Sequence, residues 1–218
     1  MRRFCVLMLA VTLLPTLSSA QSARTPDGLV VAVARSYEDM RPDLHAALFA
    51  PDYRFYFAPE DVEISPDGQG YWARADELGS AYAMLTGQTG RTREGFDLPP
   101  VRALRVELLP QDGVWTDAGD FLKEYSGLKM RRYALQATIE YEGTDFINEV
   151  SSVQRLIVRD VEGSDAQFVA WYEAGQAQSL KASAIQSWGE AKSQYGSLSP
   201  FVPVSPLSVG PLKATWRD

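Results

Sequence analysis

Near-neutral proton transfer is most often histidine chemistry, and this chain has a single histidine, His45. It stands in "PDLHAALF", one position from the apolar side of a short helix, where an edge or helix-surface histidine is the plain expectation. Three acids at strands or strand edges, Asp52, Glu149 and Glu173, are the carboxylates to examine for acid–base work. Glu149 alternates with Ile147, Ser151 and Val153 and shares a strand face with Arg155, so the two could pair within the sheet. Spacing alone assembles no catalytic dyad, and the catalytic set stays unassigned. Asp61, Glu63, Ser65 and Asp67 are spaced like oxygen ligands for calcium, but Pro66 stands where such a loop needs glycine and no acid closes it. Neither a metal nor a cofactor is expected. The aromatic residues are more suggestive. In "DYRFYF", Tyr53, Phe55 and Phe57 share one strand face, and with Trp72, Tyr133 and Trp171 they are the expected border of a pocket for a small apolar ligand.

These side chains need elements to position them. Leu29, Val33, Tyr37 and Met40 recur at helical spacing, which predicts a helix to about Met40, a break, and a short helix from Pro42 to Phe49 with Leu44 and Leu48 facing the core. "DYRFYF" reads as a strand. A helix over about 74–86 follows Trp72, with Leu78, Tyr82 and Leu85 inward and Asp76 and Glu77 complementing its positive N-terminus. The texture then turns to alternation. "VRALRVELLP", "MRRYALQATIEYEG", "FINEVSSVQRLIVRD" and "AQFVAWYE" predict long antiparallel strands, the third bent or bulged. "SWGEAKSQYG" pairs Ser187 with Glu190 in a capping-box pattern and predicts a short closing helix.

Bulk properties narrow the function classes. "MRR", an apolar run and "LSSA" have the layout of a secretory signal peptide over residues 1–20, implying periplasmic or extracellular localisation. Its removal would take the only cysteine, leaving no disulfide or thiolate chemistry. No later segment reaches transmembrane length, so no membrane attachment is expected after signal removal. The whole chain carries 21 basic and 28 acidic side chains, and losing Arg2 and Arg3 would widen the acidic excess to nine. Nucleic acid, whose phosphates need a basic surface, is excluded as a partner. The organisation expected is signal 1–20, linker 21–27, one domain 28–196 and a Pro-rich extended tail 197–218.

Helices first, then an aromatic strand, another helix and a bent antiparallel meander make an α+β plan. With "LHAALFAPDYRFYF", the W-x-R-x-x-E-L pattern at Trp72, Arg74, Glu77 and Leu78, "FVAWYE", and "SWGEAK" as a WG-x-x-K segment, the chain resembles the nuclear transport factor 2-like superfamily and its SnoaL-like branch. That resemblance implies a cystatin-like cone, a curved antiparallel sheet wrapped around N-terminal helices with an apolar pocket at its open end. It implies three readings of function. The first is an exported module binding a small apolar molecule or a partner. The second is an isomerase, dehydratase or cyclase working through buried carboxylates and tyrosines. The third is an interaction module that forms homodimers. The lack of an evident acid–base set places the first ahead of the second.

Overall fold

The structure, a computed structural model, describes residues 23–65, 68–176 and 186–196. The expected leader and the Pro-rich tail lie outside those residues. Helix α1 (Pro26–Glu38) starts where Thr25 Oγ1 accepts from Gly28 N–H and Pro26 occupies the first turn. It stops two residues short of the expected end. Met40 takes a left-handed φ of 52°, Arg41 N–H bonds Ser36 C=O and Met40 N–H bonds Tyr37 C=O, the paired bonds of a Schellman stop. Helix α2 (Pro42–Ala47) then begins on Pro42.

In α2 the expectation for Leu44 is overturned: Leu44 is 36% exposed and its neighbour His45 is 1% exposed. The imidazole packs between the rings of Tyr37 and Phe49, with centroids 4.6 and 4.7 Å away, and meets Ser36 Oγ. An aromatic slot with a polar partner at its end suits a ring that has both characters, and leucine would give up the contact with Ser36 Oγ.

Strand β1 (Phe49–Tyr56) starts three residues earlier than expected, with Tyr53 and Phe55 inward and Arg54 outward. Its pairing shifts register between Phe49 and Arg54, around Pro51, which has no N–H to give a ladder. A 3₁₀ turn (Pro59–Ile64) replaces the expected acidic loop and leads to β2 (Tyr71–Ala73). Helix α3 (Arg74–Leu85) is set by Asp76, which accepts from Ala73 N–H, and by Arg74, which donates to Phe49 C=O and Ala46 C=O. Of the three residues expected inward, Leu85 is buried and Leu78 packs against the core, but Tyr82 is not inward. Tyr82 is 49% exposed, while Glu77, Ser80, Ala81, Met84 and Leu85 are buried.

After a hairpin of two short strands, β3 (Gly90–Arg91) and β4 (Asp97–Leu98), comes the expected meander: β5 (Val101–Pro110), β7 (Lys129–Tyr141), β8 (Ile147–Arg159) and β9 (Gln167–Gln176), with short β6 (Thr116–Asp117) beside β7. The sheet order is β2-β1-β9-β8-β7-β5. All neighbours are antiparallel except β1 and β9, which run parallel, so the sheet is mixed at that one seam. Two register shifts between β8 and β9 supply the expected irregularity. Tyr133, Leu135, Ala137, Ile139 and Tyr141 alternate inward along β7 as expected, against a core shared with the helices. A smaller cluster on the other side of the sheet holds Ala50, Ile157, Val169 and Ala170 under Tyr125 and Phe121.

Helix α4 (Trp188–Gly196) closes the domain. Ser187 Oγ accepts from Glu190 N–H, as its sequence pattern predicts, and Trp188, Gly189, Ala191, Lys192 and Tyr195 face inward. No described helix is long and apolar enough to cross a membrane.

Candidate functional site

Helix α4 inserts a lysine into the core. Lys192 is fully buried, its Nζ lies 3.4 Å from the centroid of the Phe55 ring, and Trp72, Trp171 and Trp188 stand 5.6–5.8 Å away. Its anionic partner is Glu77, also fully buried, with Nζ donating to Oε2 at 2.5 Å. Two charges taken out of water are tolerable only when they meet each other, and the ring faces add cation–π attraction. Burial alone would raise the Glu77 pKa, but the charge of Lys192 opposes it and the carboxyl is held below its ordinary value of 4.5. Burial pulls Lys192 down against the opposing attraction of Glu77.

The second oxygen of Glu77 faces the histidine. His45 Nε2 lies 3.9 Å from Oε1, beyond hydrogen-bond reach, and both atoms are buried without a hydrogen-bond partner. The hydroxyls of Tyr37 and Tyr53 are likewise buried and unpartnered. Both phenols are pushed well above their ordinary range, first by burial and then by the charge of Glu77. His45 is held below 6.5 by burial, with Glu77 opposing, so the ring is neutral at neutral pH. One carboxylate is thus surrounded by a neutral imidazole, two un-ionised phenols and a lysine.

A second buried carboxylate has a different task. Glu173 accepts from the backbone N–H of Trp188 at 2.7 Å and of Gly189 at 2.8 Å, so it caps α4. Gln154 donates to Glu173 and to Ser152, and accepts from Trp171 Nε1. Burial raises the Glu173 pKa against these hydrogen bonds.

Of the three acids singled out in the sequence, then, only Glu173 reaches the interior. Asp52 is exposed and paired with Arg159, which lowers its pKa. Glu149 is exposed on β8, and Arg155 lies over the Phe121 ring instead of meeting it. The six expected pocket residues, Tyr53, Phe55, Phe57, Trp72, Tyr133 and Trp171, are all 0–5% exposed and belong to one core cluster. What faces several of those rings is Lys192. Trp72 also borders an outer cleft of about 470 Å³ with Asp76, Arg93 and Glu190. Within the acidic segment Glu63 pairs with Arg93, and Asp67 lies outside the described residues. Among the described residues no three His, Cys, Asp or Glu side chains gather as a metal site.

In the sequence Glu77 and Lys192 each have a plainer role, one as a helix-dipole acid and one inside a polar helix. The signal that could have found them was their place in the W-x-R-x-x-E-L and WG-x-x-K patterns.

The titration of this cluster makes stability depend on pH in a definite direction. His45 has a folded pKa below 6.5, so as pH falls below 6.5 the unfolded chain takes up a proton that the folded chain does not. Its contribution is present above 6.5 and is lost as pH falls through the folded value. Glu77, depressed below 4.5, adds a loss of the same sign at lower pH, while Glu173, raised, acts in the opposite sense. Urea unfolding across this range should show stability declining toward acid, and His45→Asn should flatten the upper part of that slope. An unchanged slope in His45→Asn would show that the imidazole titrates alike in both states.

Fold and site together define an α+β domain with a helix-covered mixed sheet and an enclosed carboxylate–imidazole–lysine cluster. No family model matches the chain, and no curated protein does. Its arrangement is similar to that of several solved structures. A nuclear transport factor 2-like superfamily protein from Salmonella enterica serovar Typhimurium aligns at TM-score 0.45 and 12% identity, over 72% of this chain and 92% of that one. A conserved protein from Planctomyces limnophilus aligns at 0.46 and 9%, over 66% and 88%. The β subunit of a benzoate 1,2-dioxygenase from Burkholderia mallei aligns at 0.43 and 15%, over 66% and 84%. At such values, what this chain does has to be argued from its own residues.

Proposed function

We propose that the chain is a small-molecule enzyme of the isomerase, dehydratase or cyclase kind, with acid–base chemistry in the enclosed cluster around Glu77. The observation behind this reading is that four of the seven buried polar atoms without partners among the described residues belong to this cluster: Tyr37 Oη, His45 Nε2, Tyr53 Oη and Glu77 Oε1. Leaving each such group unsatisfied costs about 1–3 kcal/mol, and a polar molecule bound among them would supply the missing hydrogen bonds. The roles divide by protonation state. Neutral His45 accepts a proton, and the Tyr37 and Tyr53 hydroxyls donate to an oxygen on which negative charge develops. Lys192 keeps Glu77 ionised and in place. Access takes a movement of the helix layer, since His45 and Glu77 are 0–1% exposed. With the leader expected over residues 1–20, the reaction belongs outside the cytoplasm.

A second reading, a self-associating interaction module, is favoured by the outer sheet face, where Tyr56 and Tyr172 stack at 4.0 Å and Arg54 lies over Tyr71. The reading of Tyr53, Phe55, Phe57, Trp72, Tyr133 and Trp171 as the border of an apolar-ligand pocket comes third, because the Lys192 ammonium already occupies the face of Phe55.

A melting-temperature screen with ketones, phenols and hydroxy acids tests the first reading against the variant Tyr37→Phe/Tyr53→Phe. At least one compound should stabilise the native chain saturably, by about 2.7 kcal/mol at a hundredfold excess over Kd, and lose most of that effect in the variant. If the variant is more stable and no compound acts on either protein, the hydroxyls belong to packing. Sedimentation showing a dimer would then put the second reading first.

A further inference from the structure

We infer that Ser36 fixes His45 in the Nδ1–H tautomer, making Nε2 the atom that accepts the proton, so that Ser36 is a positioning residue of the site. The inference rests on the acid–base reading above and names which nitrogen does the work. Ser36 Oγ has one hydrogen. It lies 2.7 Å from Val33 C=O, one turn back in α1, and 3.0 Å from His45 Nδ1. A carbonyl can only accept, so the hydroxyl hydrogen is committed to Val33 along the shorter contact. What Ser36 then offers His45 is a lone pair, and Nδ1 meets it with a hydrogen. Ser36 and His45 are both 1% exposed, so bulk water does not compete for either contact.

The opposing influence is Glu77, whose Oε1 would favour a hydrogen on Nε2. At 3.9 Å that carboxylate oxygen makes no hydrogen bond, and its charge is partly neutralised by Lys192 on Oε2. The remaining faces of the imidazole are taken by the Tyr37 and Phe49 rings, which carry no charge to bias the tautomer. A direct hydrogen bond on Nδ1 outweighs an unbonded contact on Nε2. The consequence is an unprotonated nitrogen directed at the one place where Glu77 Oε1 is also unpartnered. Two acceptors facing each other want a donor between them, so the group bound there presents an O–H or N–H, or a carbon acid about to lose its proton.

His45 is the only histidine, so the tautomer can be read without assignment from the two-bond proton–nitrogen correlations of full-length chain labelled with ¹⁵N-histidine at pH 8. The native chain should show Nδ1 protonated and Nε2 bare. Ser36→Ala should reduce the ratio of the Nδ1–H to the Nε2–H form roughly five- to tenfold, the worth of one hydrogen bond, and Ser36→Thr should restore it. A native chain with the hydrogen on Nε2, or a Ser36→Ala spectrum unchanged from native, overturns the inference. Should Ser36→Ala not fold, the native spectrum decides alone. Failure of the acid–base reading looks different: the tautomer is as stated, but no compound in the screen binds.

Discussion

Lys192→Met should cost the fold about 3–5 kcal/mol, the usual penalty for removing one partner of a buried ion pair. Marginal domains have only about 5–15 kcal/mol in hand, so the urea midpoint should fall by a large fraction. The loss does not come from packing, since methionine nearly matches the lysine stem and suits the face of Phe55. It comes from Glu77, left charged in a site where no water reaches it. Glu77→Gln should cost a similar amount for the mirrored reason. Lys192→Met/Glu77→Leu should recover most of the loss, because an apolar pair of similar volume removes both desolvation penalties at once. A double-mutant cycle with urea unfolding measures this coupling. Additive single effects would mean that the two side chains do not depend on each other, and the described interior would be wrong.

Gly189→Ala should destabilise as well, against the ordinary sign for glycine inside a helix, where alanine gains up to about 1 kcal/mol. A Cβ on Gly189 would lie 2.7 Å from Phe57 Cδ1 and 2.8 Å from Glu173 Oε2. Neither neighbour is free to yield: the ring is packed edge-on to Trp72, and the carboxylate is held by two backbone N–H groups and Gln154. Overpacking of this kind costs about 1–3 kcal/mol and would loosen the cap of α4 in addition. Gly113→Ala is the control, with open space around its would-be Cβ, and should leave the melting temperature nearly unchanged. A rise in melting temperature for Gly189→Ala would show that α4 does not press on β1 and β9 this closely.

What could be read from the sequence, and what could not, divides along a physical line. Alternation in "RYALQATIEY" gives the inward face of β7 because side-chain period is local. The parallel seam between β1 and β9 is not local: alternation tells which face a strand buries, but not which strand lies beside it. Helical phase was the weaker clue. In α2 and α3 a polar residue, His45 or Glu77, takes the inward position next to a leucine or tyrosine that hydrophobicity alone would bury. Glu77 is inward because of a partner far along the chain, and no helical wheel contains Lys192; His45 is inward because Ser36, Tyr37 and Phe49 build its slot. Glu173 was visible as an acid on an apolar strand, though its work is to hold the start of α4. The candidate site was therefore present in the sequence as separate letters, and only the fold brings them together.

The separation of 115 positions between Glu77 and Lys192 also governs the order in which the molecule can be made. Synthesis delivers α1, α2, β1 and α3 first, with a carboxylate that has no counter-charge and a strand, β1, whose long neighbour β9 has not yet emerged. Such non-local pairings form slowly, because a long loop must close before any contact repays it. The seam waits for β9, which ends at residue 176, and the ion pair waits for residue 192. The fold is therefore completed last at α4, the element that brings both the lysine and the helix start that Glu173 caps.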